Sequence, residues 1–216
     1  MKTETKILGI ILALTVALLV GGVFFLSKQS TSNDIKDATV YQIDYSKGQK
    51  IGSDSAKVKL VEFSDFECPA CAAASNYTKK YESGENPDIQ FIYRHFPLPQ
   101  HESAKKAALV AEAAGEQGKF WQMHDKLFET QFEWEESKDS TAFFLSLAKE
   151  LGLDEEKIKK AIEENTYAAK IDADLSEGRS LGVNSTPTFY LNGRKLNFKS
   201  FADLNTAVEE ELKKSN

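Results

Sequence analysis

EFSDFECPAC, residues 62–71, ends in Cys68 and Cys71, which are the only two cysteines of the chain. Thiols separated by two residues are too close to join distant parts of a fold, and the spacing is typical of a redox pair or of half a metal site. A zinc site would need two further ligands at close spacing. The three histidines do not provide that spacing: His95, His101 and His124. The pattern therefore favours a redox-active pair and predicts no metal, with an idle, reducible disulfide as the alternative.

The residues around the pair predict a strand before it and a helix after it. Residues 58–64 (VKLVEFS) are rich in apolar and β-branched side chains, as in a buried strand. Pro69 suits the first helical position, which makes Cys68 the N-cap, with its sulfur beside free backbone N–H groups. A thiolate is stabilised in that position. We therefore expect Cys68 to be the exposed reacting thiol and Cys71 to be the buried resolving thiol.

Four segments, in this order, resemble the DsbA-like branch of the thioredoxin superfamily, in its membrane-anchored bacterial type. They are residues 62–71, residues 93–98 (YRHFPL), residues 113–121 (AAGEQGKFW) and residues 182–193 (GVNSTPTFYLNG). The similarity covers residues 38–213. It implies an α/β fold, the thioredoxin fold with an all-helical insertion, and a thiol:disulfide oxidoreductase that uses no cofactor.

The resemblance also assigns a role to Glu62, six residues before Cys68. The superfamily keeps a buried acid there, beneath the second cysteine. A carboxyl group in an apolar strand has a raised pKa and could exchange a proton with Cys71. The alternative is a glutamate at the strand edge that faces water.

A second group of expected site residues lies around the reacting thiol. Thr186 and Pro187 match the family's cis-proline loop, whose backbone can pair with an extended client segment. Pro69 and Ala70, between the two cysteines, are expected at the same substrate surface. Phe66 is expected to lie exposed beside the pair and to grip the client, although it could equally anchor its loop.

Residues 1–28 predict a membrane anchor. Lys2 and Lys6 precede a mostly apolar segment, residues 7–26, which as a helix is long enough to cross a bilayer. The segment lacks an attractive cleavage site, which favours an uncleaved signal anchor over a removed signal. Its lysine-bearing end should stay in the cytoplasm. We therefore expect a single-pass protein of the cell membrane, with an extracytoplasmic catalytic domain.

The rest of the chain divides according to its composition and periodicity. Residues 29–37 form a polar tether, and residues 38–100 form the first part of the thioredoxin-like domain. Residues 101–177 form the helical insertion, and residues 178–216 form the second part of the domain. Within these parts we expect a short strand at 38–43, a turn at 47–52, parallel pairing of the two central strands and a hairpin across residues 192–193.

Charge and cysteine content limit the possible partners. The net charge of −6 gives no indication of nucleic-acid binding, and we expect a monomer. The expected partners are cysteine-containing client proteins and a membrane or extracytoplasmic redox partner. The leading hypothesis is extracytoplasmic thiol–disulfide exchange, chiefly the oxidation of cysteine pairs in secreted or envelope proteins. The alternatives are a reductase or isomerase that uses the same site, and a redox-independent chaperone or binding module.

Overall fold

A computed structural model describes residues 39–215 of the protein. The predicted anchor at 1–28 and the tether at 29–37 lie outside these residues. The strands are β1 (Gln49–Ile51), β2 (Val58–Ser64), β3 (Ile89–His95), β4 (Thr188–Leu191) and β5 (Arg194–Lys195). The α-helices are α1 (Pro69–Thr78), α2 (Ala104–Gly115), α3 (Phe120–Glu129), α4 (Gln131–Glu135), α5 (Ser140–Glu150), α6 (Glu155–Glu163), α7 (Ala168–Ser180) and α8 (Ala202–Ser215). None of the helices within 39–215 is long and apolar enough to cross a bilayer.

The strands form one sheet in the order β1–β3–β2–β4–β5. The central strands β2 and β3 are parallel, with Glu62 opposite Tyr93, and the other neighbouring strands are antiparallel. The predicted parallel pairing is therefore confirmed. Since α1 forms the crossover between β2 and β3, the helix with the cysteines starts at the carboxyl end of a central strand.

Two predictions for the residues that precede β2 are wrong. Residues 47–52 are not only a turn, because Gln49–Ile51 pairs with β3 as the edge strand β1. Gly52 makes this pairing possible, since a Cβ atom there would lie 2.3 Å from the carbonyl oxygen of Ile89. The strand expected at 38–43 is only an isolated bridge between Val40 and Arg194. Its neighbour β5 is two residues long and cannot support a longer ladder.

The predicted hairpin is confirmed. β4 and β5 are joined by Asn192 and Gly193, whose φ angles are 47° and 79°. Two successive residues with positive φ form the turn that suits the twist of a two-residue hairpin. The hairpin lies directly after Pro187, so it fixes the chain that leaves the cis-proline loop.

The side chains of β2 alternate between two buried faces of the sheet. Val61 and Phe63 pack with Ile92 and Tyr190 on one side. Tyr93 lies on the opposite side, in the core that contains Cys71 and most of the helical block. Glu62 shares the face of Tyr93, because the two residues are register partners in parallel strands. The sheet therefore places a carboxyl group on the same side as the second cysteine.

A buried ion pair holds α7 against the sheet. The guanidinium group of Arg94, which is fully buried, contacts the Asp174 carboxylate at 2.6 Å and the Glu177 carboxylate at 2.8 Å. The second oxygen of Asp174 accepts a hydrogen bond of 3.0 Å from the backbone N–H of His95. Because α7 leads into the loop that carries Thr186, these contacts also fix where that loop begins.

We predict that Asp174→Ala destabilises the domain by about 3 kcal/mol, because it removes one partner of a buried charge. Asp172→Ala on the same helix is the matched control, since Asp172 is exposed and its ion pair within residues 39–215 is with the side chain of Lys105 at the surface. The control should change the free energy of unfolding by less than about 0.5 kcal/mol. Urea unfolding of both variants measures the difference, and equal losses would contradict this role of Asp174.

Candidate active site

Cys68 occupies the N-cap of α1, as predicted, and Pro69 is the first helical residue. The Cys68 carbonyl accepts hydrogen bonds from the backbone N–H groups of Cys71 at 2.9 Å and Ala72 at 3.1 Å. Its extended backbone, with φ −85° and ψ 119°, directs the side chain to the amino-terminal end of the helix. The positive end of the helix dipole therefore faces this sulfur.

Cys68 is less exposed than the sequence predicts. Only 7% of the residue is accessible, because the loop with Thr186 closes over it. In its protonated form, the Cys68 thiol donates a hydrogen bond of 3.4 Å to the carbonyl oxygen of Thr186, which lies 118 residues away in sequence. The reacting sulfur is therefore reached through a narrow opening, and the expected exposed thiol is corrected to a nearly buried one.

The surroundings of Cys68 favour its thiolate. A hydrogen bond from the Cys71 thiol, supported by the backbone N–H groups of Cys71 and Ala70, lowers the pKa of Cys68 to about 5 against the effect of burial. Ionised protein thiols of this kind are the reactive ones. Both thiols are free in this structure.

Cys71 has the opposite environment. It is fully buried, and burial, together with the neighbouring Cys68 thiolate, raises the pKa of its thiol well above the ordinary value. The backbone N–H of Asp65 lies 3.5 Å from the Cys71 sulfur and donates to it. The two sulfurs are therefore chemically distinct, one ionised and one protonated at neutral pH.

Glu62 is buried, which excludes the alternative of a glutamate facing water. Only 1% of it is accessible, and its Oε2 atom has no hydrogen-bond partner among the described residues. Burial raises the pKa of Glu62 to about 8, and the charge of Glu62 in turn raises the pKa of Cys71. The carboxyl group can therefore hold or release a proton near neutral pH beside the second thiol.

The cis peptide expected between Thr186 and Pro187 is present. Pro69 and Ala70 are exposed beside the opening to Cys68, whereas Thr186 is buried. A groove of about 530 Å³ runs alongside Pro187. Its lining includes two aromatic and two basic residues: Phe189, Phe198, Lys195 and Lys199.

Phe66 does not lie at the surface, so its expected role in gripping a client is wrong. The residue is 1% accessible. Its ring stacks on Tyr93 at 5.3 Å and contacts Phe128 at 5.0 Å. Its carbonyl accepts a hydrogen bond of 2.6 Å from Gln131 of α4. The aromatic core beneath the site binds the ring, so Phe66 anchors its loop, which was the other interpretation.

Sequence reasoning did not identify Asp65 and His101 as site residues. The buried Asp65 carboxylate accepts hydrogen bonds from the backbone N–H groups of Glu67 at 2.8 Å and Leu98 at 2.7 Å, and contacts His101 Nδ1 at 2.7 Å. An aspartate that bonds the N–H two residues later is a common turn pattern and could have marked the loop. Nothing in the local sequence could have revealed the partner 36 residues away.

His95 is a structural residue at the end of β3. Its Nε2 atom lies 2.8 Å from the Glu112 carboxylate on α2, which also contacts Lys170 at 2.7 Å. Burial opposes ionisation of Glu112, but the bonds to His95 and Lys170 lower its pKa to about 2. This carboxylate is fully paired and joins β3 to the helical block.

One group of potential metal ligands occurs among residues 39–215, formed by Glu82, His124 and Asp125, whose ligand atoms lie within 4.8 Å of one another. The ammonium group of Lys79 already forms an ion pair with Asp125. The protein therefore supplies its own cation at this position. No step of thiol chemistry needs this cluster.

A family model described as thioredoxin matches residues 45–210. The chain belongs to the thioredoxin family. It is 31% identical to the probable disulfide bond formation protein D of Bacillus anthracis, over 99% of this chain and 100% of that protein. The crystal structure of oxidised BdbD from Bacillus subtilis matches with a TM-score of 0.71 and 28% identity, covering 82% of this chain and 99% of that one.

A third relative is much longer. The chain is 37% identical to Na(+)/H(+) antiporter NhaA 1 of Salinispora arenicola over 67% of its own length, but it spans only 21% of that protein. The family model, the disulfide bond formation protein D and the BdbD structure carry the identification. Together with the expected α/β architecture, they identify this chain as a DsbA-like thiol:disulfide oxidoreductase with a thioredoxin-like fold.

The pH dependence of stability provides a test of the Glu62 environment. Because the pKa of Glu62 is raised to about 8, the native state holds a proton that the unfolded chain loses near pH 4.5. The contribution of this group to stability therefore falls as pH rises from about 4.5 to 8, by up to about 5 kcal/mol. Glu62→Gln should remove this fall and be more stable than the wild type at pH 8. Urea unfolding at pH 5 and pH 8 measures the free energy of unfolding of the wild type and of this variant. Glu85→Gln, at an exposed position, is the control. The same change in this free energy between the two pH values in all three proteins would contradict the prediction.

Proposed function

We propose that this protein catalyses thiol–disulfide exchange outside the cytoplasm, and that its main reaction is the oxidation of cysteine pairs in secreted or envelope proteins. The observation that carries the proposal is the difference between the two sulfurs. The environment of Cys68 lowers its thiol pKa to about 5, whereas that of Cys71 raises the thiol pKa. Such a pair favours the dithiol product and therefore accepts electrons from other thiols.

The reaction starts from the oxidised pair, with a bond between Cys68 and Cys71. A client thiolate attacks the Cys68 sulfur, the bond between the two cysteines breaks, and the Cys71 thiolate leaves. Glu62 gives Cys71 its proton, because both groups are buried on the same face of the sheet. A second client thiolate then attacks the client sulfur of the mixed disulfide and displaces Cys68 as a thiolate. Two electrons have passed from the client dithiol to the protein pair.

The low pKa of Cys68 acts in the second displacement. A thiol with a lower pKa is the better leaving group, so the mixed disulfide resolves towards the oxidised client. Pro69 and Ala70 provide no histidine between the cysteines. We therefore expect a reduction potential between the values of about −270 mV for thioredoxin and −120 mV for DsbA.

The client binds next to the cis-proline loop in this proposal. An extended client segment would lie across Pro69 and Ala70 on one side and Thr186 and Pro187 on the other, with the groove beside Pro187 receiving the flanking residues. Its backbone would pair with the loop in the manner of strand addition. A bound client could displace the Cys68 thiol from the Thr186 carbonyl and thereby uncover the sulfur.

The proposal places the domain on the outer side of the cell membrane, tethered through residues 7–26, and acting as a monomer. The apolar segment with Lys2 and Lys6 before it supports this arrangement. After each turnover the reduced pair must pass its two electrons to a membrane or extracytoplasmic redox partner. A reductase would use the same residues with two electrons flowing from the protein pair to the client, and an isomerase would rearrange client disulfides with no net electron transfer. A redox-independent binding module would need no low pKa at Cys68.

Trapping of the mixed disulfide tests the assignment of the two thiols. Cys71→Ser, with the Cys68 thiol pre-activated as a disulfide, should accumulate a covalent adduct with an unfolded client that carries a single thiol, because such a client has no second thiol to resolve the adduct. Cys68→Ser, the matched control, should form none, because Cys71 is buried. Refolding of reduced ribonuclease and the potential in glutathione buffers then give the direction. Equal adduct formation by both variants would refute the assignment, and a potential at or below that of thioredoxin would favour the reductase.

Glu62→Gln tests the proton transfer separately. We expect the rate of client oxidation at pH 7 to fall several-fold while the fold persists, because glutamine cannot protonate the leaving Cys71. Stopped-flow fluorescence of single-turnover oxidation measures the rate, and Glu85→Gln again serves as the control. A rate equal to that of the wild type would exclude Glu62 from the mechanism.

A further inference from the structure

The loop that precedes Cys68 carries two buried carboxylates, those of Asp65 and Glu67. Asp65 is buried, and its backbone carbonyl accepts a hydrogen bond of 3.1 Å from the N–H of Cys68. Glu67 is also buried and accepts a hydrogen bond of 2.6 Å from the N–H of Ser103. Negative charge on these groups opposes the formation of a thiolate next to them. The helix end therefore needs a compensating positive charge.

His101 is in a position to supply this charge. Its Nδ1 atom lies 2.7 Å from the Asp65 carboxylate, and its side chain is 19% accessible. One residue, Asp65, thus contacts His101 through its side chain and both cysteines through its backbone, since its N–H also reaches the Cys71 sulfur at 3.5 Å. The imidazole is held beside the reacting pair by an anion that is itself fixed by two backbone donors.

The charged groups that face His101 come from the loop before α1 and from its N-cap. They are Asp65, Glu67 and Cys68, and Glu102 is its exposed neighbour on its own loop. Burial opposes protonation, but Asp65, Glu67 and the Cys68 thiolate together raise the pKa of His101. The interaction between His101 and Cys68 is mutual by thermodynamic linkage, so an imidazolium that senses the thiolate also stabilises it.

We propose that His101 is a positioning residue for the exchange reaction: as an imidazolium held by Asp65, it stabilises the Cys68 thiolate and makes the reduced pair more favourable. The two residues between the cysteines, Pro69 and Ala70, carry no charge. In this proposal His101 provides the positive charge near the Cys68 thiolate. The inference rests on the proposed function only in taking Cys68 as the reacting thiol, and its central test needs no client protein.

The first test uses the wild-type protein and requires no substitution. Oxidation removes the thiolate, so the pKa of His101 should be higher in the reduced protein than in the oxidised one, by about half a unit to one unit. NMR titration of the imidazole signals in both states measures it. His124, fully buried and contacting Asp125 rather than the cysteines, is the internal control. Equal His101 values in the two redox states would overturn the proposal.

The second test uses variants that separate charge from structure. His101→Gln keeps a donor for Asp65 but no charge, and it should raise the pKa of the Cys68 thiol by about half a unit to one unit. That shift is a three- to tenfold change in thiolate stability, and a tenfold change in the exchange equilibrium corresponds to about 30 mV towards more reducing potentials. His101→Lys should restore both values, because it restores a positive charge.

Lys105→Gln provides a control for charge, since it removes a cation from an exposed pair with Asp172. The readouts are thiolate absorbance against pH and the glutathione redox equilibrium, with thermal unfolding as a check of the fold. A Cys68 pKa unchanged in His101→Gln, or changed equally in Lys105→Gln, would refute the proposal. Failure of client oxidation with these shifts intact would instead refute the proposed function and leave the role of His101 standing.

Discussion

The hydrogen bond from the Cys71 thiol to the Cys68 sulfur is the interaction on which the site depends. It assigns the negative charge of the reduced pair to one atom, at the end of a helix where backbone N–H groups can stabilise it. Pro69 fixes the geometry of that helix end. The parallel strands β2 and β3 place α1 above Glu62 and Tyr93, so the second sulfur lies over a carboxyl group that can take or give its proton.

Two buried glutamates show how the surroundings determine the use of one residue type. Glu112 contacts His95 and Lys170, and these contacts lower its pKa to about 2, so it remains an anion that joins two elements. Glu62 has a carboxyl oxygen with no partner in the described chain, and burial raises its pKa to about 8. An unpartnered buried acid lowers the stability of the fold. The same burial gives Glu62 a pKa at which it can transfer a proton near neutral pH.

The features that the sequence predicts correctly are those set by neighbouring residues. Pro69 after Cys68 predicts the helix start, residues 58–64 predict the central strand, and Asn192 with Gly193 predicts the hairpin. The features that it misses depend on distant contacts. The burial of Cys68 is produced by Thr186, the ring of Phe66 is bound by α3 and β3, and the contact between Asp65 and His101 joins separate loops. The strand β1 is also missed because of a distant contact: residues 49–51 form a strand by pairing with the edge of β3.

The absence of any third cysteine from this chain has a consequence for its biogenesis. The buried core and the ion pairs of Arg94 hold the domain together without a covalent cross-link, so a newly made copy reaches its working shape before any oxidant has acted on it. The enzyme therefore does not need a disulfide, which is the product of the reaction it catalyses, in order to fold. Nor can it be trapped with mismatched internal bridges, because its two sulfurs have only each other as intramolecular partners.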